Sequence, residues 1–193
     1  IIIFFPSQDI KEYFVCNCCF HIVKGYNFNY KHFHNDKKSM KHDIHSFVET
    51  ENVQSFIAQN EEYYLANIFI PDASKENIEV GVYNKEEDKM KTFTKGDVEE
   101  SDDIAKTGRD IQELILKDSL VSFEDIVSVA KETVDVNKPY KRVLGVLQCS
   151  KRTTWTITLI TTDYTVYTVR LDAETEEVLD TTKSNMMSWV KSA

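Results

Sequence analysis

The chain has 193 residues, of which 41% are hydrophobic and 28% charged, and its formal net charge is −9. These values are typical of a globular protein with enough chain to bury a core, and they exclude collagen-like, low-complexity and wholly disordered classes. The negative charge argues against binding to nucleic acid. No apolar run approaches the roughly 20 residues of a membrane-spanning helix. We therefore expect neither a nucleic-acid nor a membrane partner.

The first 39 residues differ in composition from the rest. Ile, Phe, Lys, Asn and Tyr make up 23 of these 39 positions, and the segment carries a net charge of +2, which leaves −11 for residues 40–193. The first methionine of the chain is Met40. We expect residues 1–39 to lie outside the evolved domain, either disordered or artefactual, and a genuine N-terminal extension is the alternative. A signal peptide fits poorly, because no basic region precedes Ile1 and because Pro6 interrupts the apolar run.

Three of the four cysteines and all five histidines lie in or just after this segment. The sharpest hypothesis is a zinc site made of thiolates and imidazoles, with Cys16, Cys19, His21 and either His32 or His34 as ligands. The spacing argues against it, since structural zinc sites favour two well-separated ligand pairs, whereas Cys16, Cys18 and Cys19 are crowded. Chance clustering is the alternative, and we expect no metal and no cofactor.

Cys149 is the only cysteine of residues 40–193, at the end of a predicted strand. We expect it to be a small buried hydrophobic residue rather than a nucleophile. Because this part of the chain has no cysteine pair, it needs no oxidising compartment. No signal peptide is recognisable at Met40 either, so we expect a cytoplasmic protein.

The first half of residues 40–193 predicts one helix and three strands. The pattern of residues 50–60 indicates a short helix with Thr50 as its cap. Strands are predicted at Tyr63–Ile70, Asn77–Tyr83 and Lys89–Thr94. The acidic residues that follow do not fit a calcium loop, so we expect residues 95–108 to form a solvated linker.

The second half predicts a similar series. Ser122 and Asp125 resemble a capping box before a helix, and Asn137-Lys138-Pro139 ends that helix. Strands are predicted at Tyr140–Cys149, Thr153–Thr161 and Tyr164–Leu171, and a fourth begins at Glu177–Asp180. A final short helix, capped by Ser184, is expected to carry Met186, Met187, Trp189 and Val190.

The two halves can be aligned through one hairpin each. In this alignment Gly81–Met90 corresponds to Val169–Val178, and Asn84 and Asp172 each open a turn by bonding their own backbone. We therefore predict one unit at residues 40–100 and a second, with a C-terminal helix, at 101–193.

The segment from Ser122 to Asp180 resembles a PepSY domain. The matching motifs are Trp155-Thr-Ile157, Tyr167-Thr-Val169-Arg-Leu171 and Asp172-Ala-Glu-Thr-Glu-Glu-Val-Leu179. The chain departs from the family at Glu176, where a glycine is usual, and Glu in a left-handed turn costs about 1 kcal/mol. Residues 50–94 look like a weaker sister copy.

The resemblance implies a non-catalytic module similar in outline to cystatin-like folds, in a family that is often extracytoplasmic and linked to protease inhibition or regulation. The predicted fold is accordingly α+β, with short helices packed on antiparallel sheets in tandem PepSY-like or cystatin-like units.

Recognised catalytic motifs do not occur in the sequence, which has no Gly-rich phosphate loop, Gly-x-Ser-x-Gly or His-Glu-x-x-His. Glu174, Glu176, Glu177 and Asp180 are expected to form a solvated hairpin, and Lys151-Arg152 a hairpin tip. We predict no catalytic residues and no enzymatic activity.

Two surfaces are candidates for binding. Trp155, Tyr164 and Tyr167 would line a groove, unless the strand face toward the helix is the core. A threonine-rich sheet face is expected to meet water or a partner, by dimerisation or strand addition; its residues are Thr154, Thr156, Thr158, Thr161, Thr162, Thr165 and Thr168. The predicted function is a non-catalytic binding or regulatory module of unknown ligand that acts on a protein or protease partner or on a second copy. The alternatives are a small-molecule enzyme, which needs a deep pocket holding two titratable groups in contact, and a metal-binding protein.

Overall fold

The structure is a computed structural model that describes residues 40–73, 77–94, 97–101 and 111–185, without the side chains of 40–43 and 97–101. Within these residues the fold is α+β, with three α-helices and one antiparallel sheet of eight strands. This confirms the predicted α+β class with an antiparallel sheet, whereas the tandem PepSY-like or cystatin-like arrangement stays a prediction. The predicted disordered or artefactual segment at residues 1–39 lies outside the described residues.

The elements follow one another in a simple order. The helices are α1 (Met40–Val48), α2 (Glu51–Gln59) and α3 (Phe123–Val134). The strands are β1 (Tyr63–Ile70), β2 (Glu79–Asn84), β3 (Lys89–Thr94), β4 (Asp97–Ser101), β5 (Tyr140–Cys149), β6 (Thr153–Thr161), β7 (Thr165–Asp172) and β8 (Val178–Asn185). Four strands, β1, β3, β5 and β6, have the bounds that the sequence predicts.

The sheet is built from two series of four strands that meet at its centre. The strand order is β4-β3-β2-β1-β5-β6-β7-β8, so every seam but one joins strands that follow each other in the chain. The exception is the seam between β1 and β5, where Asn67–Ile70 pairs with Gly145–Gln148. The N-terminal half is therefore two helices, and the C-terminal half one helix, each followed by a four-stranded antiparallel meander.

The three helices pack in one hydrophobic core with one face of the sheet, here called the helix face. Strand alternation places Trp155, Ile157 and Leu159 of β6 in this core, together with Val53 of α2 and Phe123 of α3. The predicted cap of α3 is present, because the Oγ of Ser122 accepts from the backbone N–H of Asp125. The helix positions Phe123 so closely over β5 that a Cβ on Gly145 would lie 2.3 Å from its ring.

The N-terminal helices differ from the prediction. Thr50 occupies the N-cap position of α2, but its hydroxyl accepts no cap bond and instead donates to the carbonyl of Phe47 at 2.7 Å. The sequence reading also missed α1, although Ile44, Phe47 and Val48 have the spacing of an amphipathic helix. The polar run after Met40 obscured this signal.

Two predictions about segment ends are wrong. The predicted linker at 95–108 contains β4, which pairs with β3 in register Phe93↔Val98. Its last residue, Ser101, lies just beyond the predicted boundary between the units at residue 100. Ser184 does not cap a helix, because it lies within β8 and pairs with Val166. The predicted helix at residues 186–190 lies outside the described residues.

The predicted turn geometry is correct, but the alignment of the halves is not. The Oδ1 of Asn84 accepts from the N–H groups of Glu86 and Glu87 at 2.9 and 3.1 Å. The Oδ1 of Asp172 accepts from those of Glu174 and Thr175 at 3.0 and 3.1 Å. The first turn joins the second and third strands of its series, however, and the other joins the third and fourth. Sheet order aligns β2 with β6 rather than with β7.

Candidate functional site

The structure does not test the predicted zinc site. Its five possible ligands, Cys16, Cys19, His21, His32 and His34, lie outside the described residues. Within residues 40–73, 77–94, 97–101 and 111–185, no three His, Cys, Asp or Glu side chains are grouped closely enough to hold a metal. In that same part of the chain no helix is long and apolar enough to cross a membrane.

The three aromatic residues proposed for a groove do not come together. Trp155 is 1% exposed and packs against Phe123, with ring centroids 5.1 Å apart. Tyr167 is partly buried against the same core. Tyr164 lies in the turn between β6 and β7, has a left-handed φ of 60° and is 41% exposed. The alternative prediction, that the strand face toward the helix is the core, is therefore confirmed for Trp155.

The lone cysteine is half-buried at the end of β5. The Sγ atom of Cys149 lies 4.0 Å from the side-chain oxygen of Gln112 and packs partly against the core. A general base would have to be within hydrogen-bond reach to make this thiol a nucleophile. The side chain beside it is the amide of Gln112, which cannot act as a general base.

The carboxylates of the hairpin between β7 and β8 form ion pairs and hydrogen bonds that stabilise this end of the sheet. Glu174 pairs with Lys117 at 2.8 Å and accepts from the hydroxyl of Ser119 at 2.8 Å. The hydrogen bond from Lys117 holds the pKa of Glu174 below its usual value. Asp172 accepts from two backbone N–H groups, which lower its pKa against the opposing effect of burial. Both side chains therefore stabilise the turn as anions.

The threonine-rich face is less exposed than the sequence predicts. Thr154 and Thr156 are each 1% exposed, and neither hydroxyl has a partner. Both lie opposite the helix face, since they alternate with the buried Trp155. Thr161 and Thr165 are buried in the turn that follows β6, where the two residues are hydrogen-bonded to each other. The prediction of a water-facing surface is therefore wrong at these four positions.

The two edges of the sheet differ in length and charge. At one edge β4 has five residues, and three of them, Asp97, Glu99 and Glu100, are acidic. At the other edge β8 has eight residues, of which two, Asp180 and Lys183, are charged. Within the part of the chain that the structure describes, β8 pairs only with β7. Charged residues on an edge strand discourage pairing with another chain, so β8 is the more receptive edge.

A small pocket lies beneath α1. Its cavity volume is about 10 Å³, room for about one water molecule. Ile44 and His45 of α1, Leu116 and Leu120 of the segment before α3, and Leu147 and Trp155 of the sheet are among its lining residues. The indole Nε1 of Trp155 and the Nε2 of His45 are both buried and have no hydrogen-bond partner.

Sequence reasoning missed both the exposed edge and the pocket. The start of β8 was predicted, but its position as the outermost described strand depends on the sheet order, which no local pattern encodes. His45 was read as part of a polar run after Met40. The apolar spacing of Ile44 and Val48 was the signal that could have placed its helix against the core.

Comparisons with known proteins leave the family open. The chain matches no protein-family model, and it matches none of the curated proteins. Among solved structures it is similar to a protein of Clostridium difficile 630 described as a putative lipoprotein (CD1622), with 12% sequence identity and a TM-score of 0.42. The similarity covers 69% of this chain and 91% of that one. A likeness at this level carries no argument about function.

Proposed function

We propose that the protein is a non-catalytic binding module that adds an extended segment of a partner protein to the outer edge of β8. The observation that carries the proposal is the exposure of this strand at the end of the described sheet, where six of its eight residues are exposed. An edge strand offers a row of backbone N–H and C=O groups to an incoming strand. Affinity then comes from main-chain hydrogen bonds.

The local geometry of β8 supports this role. A register shift places Leu179 outside the regular pairing, after which Asp180–Asn185 pairs continuously with Thr165–Arg170. This leaves six residues of regular edge. The ammonium of Lys183 lies 5.4 Å from the ring centroid of Tyr167 on the neighbouring strand, so this charge is engaged with the sheet.

One exposed apolar side chain lies on the same edge strand. Val178 begins β8 and is 40% exposed. Strand addition uses main-chain bonds for affinity and side-chain contacts for specificity, and Val178 offers such a contact at the start of the docking segment. The exposed Tyr164 is engaged elsewhere, because the ammonium of Lys141 on β5 lies 4.6 Å from its ring centroid.

The sequence resemblance supplies the partner class to test first. We infer two PepSY-like units that meet just after β4, the first contributing α1, α2 and β1–β4 and the second α3 and β5–β8 to one sheet. The family resemblance then favours a protease among possible partners. The small-molecule enzyme has less support, because the pocket beneath α1 is lined by one titratable side chain, His45, whereas acid–base chemistry usually needs two in contact.

The proposal is tested by site-specific photo-cross-linking in extract from the native source. A benzophenone amino acid replaces Thr182 in β8, and the matched control carries it at Glu132, an exposed residue of α3. We expect the position in β8, but not the one in α3, to cross-link to a contiguous extended segment of one protein. Mass spectrometry of the cross-linked peptides identifies that segment.

A second variant measures the contribution of the edge to affinity. Thr182→Pro interrupts the row of backbone donors, and we expect it to weaken binding of the purified partner at least tenfold while Glu132→Ala leaves binding unchanged. Cross-linking from both positions alike, or unchanged affinity of a folded Thr182→Pro variant, would contradict the proposal. Cross-links between β8 strands of two copies would assign self-association instead.

A further inference from the structure

We propose that residues 186–193, which follow β8, cover the face of the sheet opposite the helix face, here called the far face. This inference goes beyond the proposed function, because it concerns a face of the sheet and not the outer edge of β8. It rests on buried side chains of the far face and on the position at which β8 ends.

The far face is apolar and buried at its centre. Strand alternation places Leu144, Val146 and Ile160 on it, because Leu147 and Leu159 of the same strands lie in the core of the helix face. Val146 is 4% exposed and Ile160 is 3% exposed. A sheet face that meets water usually carries polar side chains, so this apolar centre with so little exposure indicates a covered face.

The two hydrophobic clusters of the described residues do not account for this cover. The larger cluster is the core of the helix face, and the smaller one lies on β1, β2 and β3 around Tyr83. Neither cluster of the described residues includes Leu144, Val146 or Ile160. Thr156, which pairs with Val146, is 1% exposed as well. The cover therefore comes from a part of the chain outside the described ranges.

The composition of residues 186–193 suits this position. Half of the segment consists of large apolar side chains, namely Met186, Met187, Trp189 and Val190. Methionine adapts to irregular gaps, and tryptophan buries a large area. The three internal stretches outside the described ranges contain one large apolar residue, Ile104. They have much less apolar surface to bury.

The end of β8 brings this segment within reach of the far face. Ser184 pairs with Val166, which pairs in turn with Ile160, so this row crosses the far face from β8 to β6. Two strand spacings come to about 10 Å, and eight residues span about 12 Å as a helix and more when extended. Residues 1–39 lead instead into α1, which packs on the helix face.

The first test is photo-cross-linking within the purified full chain. A benzophenone amino acid replaces Met187, and the matched control carries it at Glu132, an exposed residue of α3 on the other side of the sheet. We expect the probe at Met187, but not the one at Glu132, to cross-link to the far-face residues Val146 and Ile160. Mass spectrometry locates the cross-links, and mixing isotope-labelled with unlabelled chain distinguishes those within one molecule from those between two.

The second test is fluorine NMR of the chain labelled with fluorotryptophan. The chain has two tryptophans, and Trp189→Phe assigns their resonances. The resonance of Trp189 should lack the shift between light and heavy water that free fluorotryptophan shows, because its ring is packed away from solvent. Ile160→Ser should restore at least half of that shift, whereas Val178→Ser, at an exposed position of β8, should restore none.

Three outcomes would overturn the proposal. They are cross-links from Met187 to a second copy, cross-links to helix-face residues or to residues 1–39, and a Trp189 resonance with the full solvent shift of the free amino acid. The last of these is measured without any substitution in the far face, so it decides the matter even if Ile160→Ser fails to fold.

Discussion

Both halves of the sheet are covered by helices, but α3 and α2 bury different numbers of side chains. In the C-terminal half, α3 has 12 residues, and four of them, Phe123, Ile126, Val127 and Ala130, are buried. In the N-terminal half, α2 has nine residues, of which Val53 is buried. Because burial of apolar area is the main source of folding free energy, the difference indicates that α3 contributes more to the stability than α2.

The largest expected effect on the free energy of unfolding comes from removing the aromatic side chain with which α3 or α2 contacts the sheet. Phe123 is 2% exposed, whereas Phe56 of α2 is half-buried, with its ring 5.1 Å from Tyr63 and 5.4 Å from Phe93. We expect Phe123→Ala to lower the free energy of unfolding by about 3–5 kcal/mol, and Phe56→Ala by about 2 kcal/mol. Urea denaturation of both variants measures the difference. Equal losses would show that the two helices contribute alike.

A smaller effect is expected at the fifth residue of the two turns that begin at Asn84 and Asp172. Glu176 and Asp88 both have left-handed φ angles, 63° and 55°, a conformation that Asp tolerates better than Glu. Glu176→Gly should raise the free energy of unfolding by about 1 kcal/mol by relieving this cost. Asp88→Gly should give no gain, because it removes the hydrogen bond from the Tyr83 hydroxyl, at 2.6 Å.

The outcome at Glu176 also tests the turn itself. The resemblance to PepSY sequences implied a glycine at this position, and the structure retains the left-handed geometry with glutamate in its place. If Glu176→Gly is neutral or destabilising in urea, contacts of the glutamate side chain outweigh its backbone strain.

The smallest effect is a difference in pH dependence between the same two turns. Hydrogen bonds from backbone N–H groups, first that of Glu174, hold the pKa of Asp172 below its usual value. A carboxylate with a lowered folded pKa stabilises the fold above its unfolded pKa of about 3.9, and this contribution is lost as the pH falls through the folded pKa. Asp172→Asn should therefore flatten the decline in unfolding free energy below about pH 4.

The control for this measurement is the neutral turn. Asn84 makes the same two backbone contacts without a titrating group, so Asn84→Ser should lower stability without changing its slope against pH. Urea denaturation at several pH values gives both slopes. An unchanged slope in Asp172→Asn would mean that the carboxylate titrates alike in the folded and unfolded chain.

Local signals account for the parts of the fold that the sequence predicted. Pro71 ends β1, and Asn84 and Asp172 begin turns through their own backbone, so each boundary depends on neighbouring residues alone. The alternation of Trp155 with threonines likewise predicted which side of β6 faces the helices, although the threonine side is also buried. Such signals depend on a few neighbouring residues, so they can be recognised without knowing the rest of the fold.

Features that depend on distant contacts were not predictable in this way. The acidic segment of β4 has a poor composition for a strand and is a strand because β3 pairs with it. The order of strands, and hence the exposed position of β8, follows from the seam between β1 and β5. The pocket requires α1 to lie near Trp155, more than a hundred residues further along the chain.

The seam between β1 and β5 has a consequence for the order of folding. It joins residues as far apart in sequence as Ile70 and Gly145 through four registered pairs, whereas all other described seams lie between consecutive strands. Because a long stretch of chain must be closed before distant residues can pair, non-local pairings form more slowly than local ones. We therefore expect this seam to form after the hairpins on either side of it.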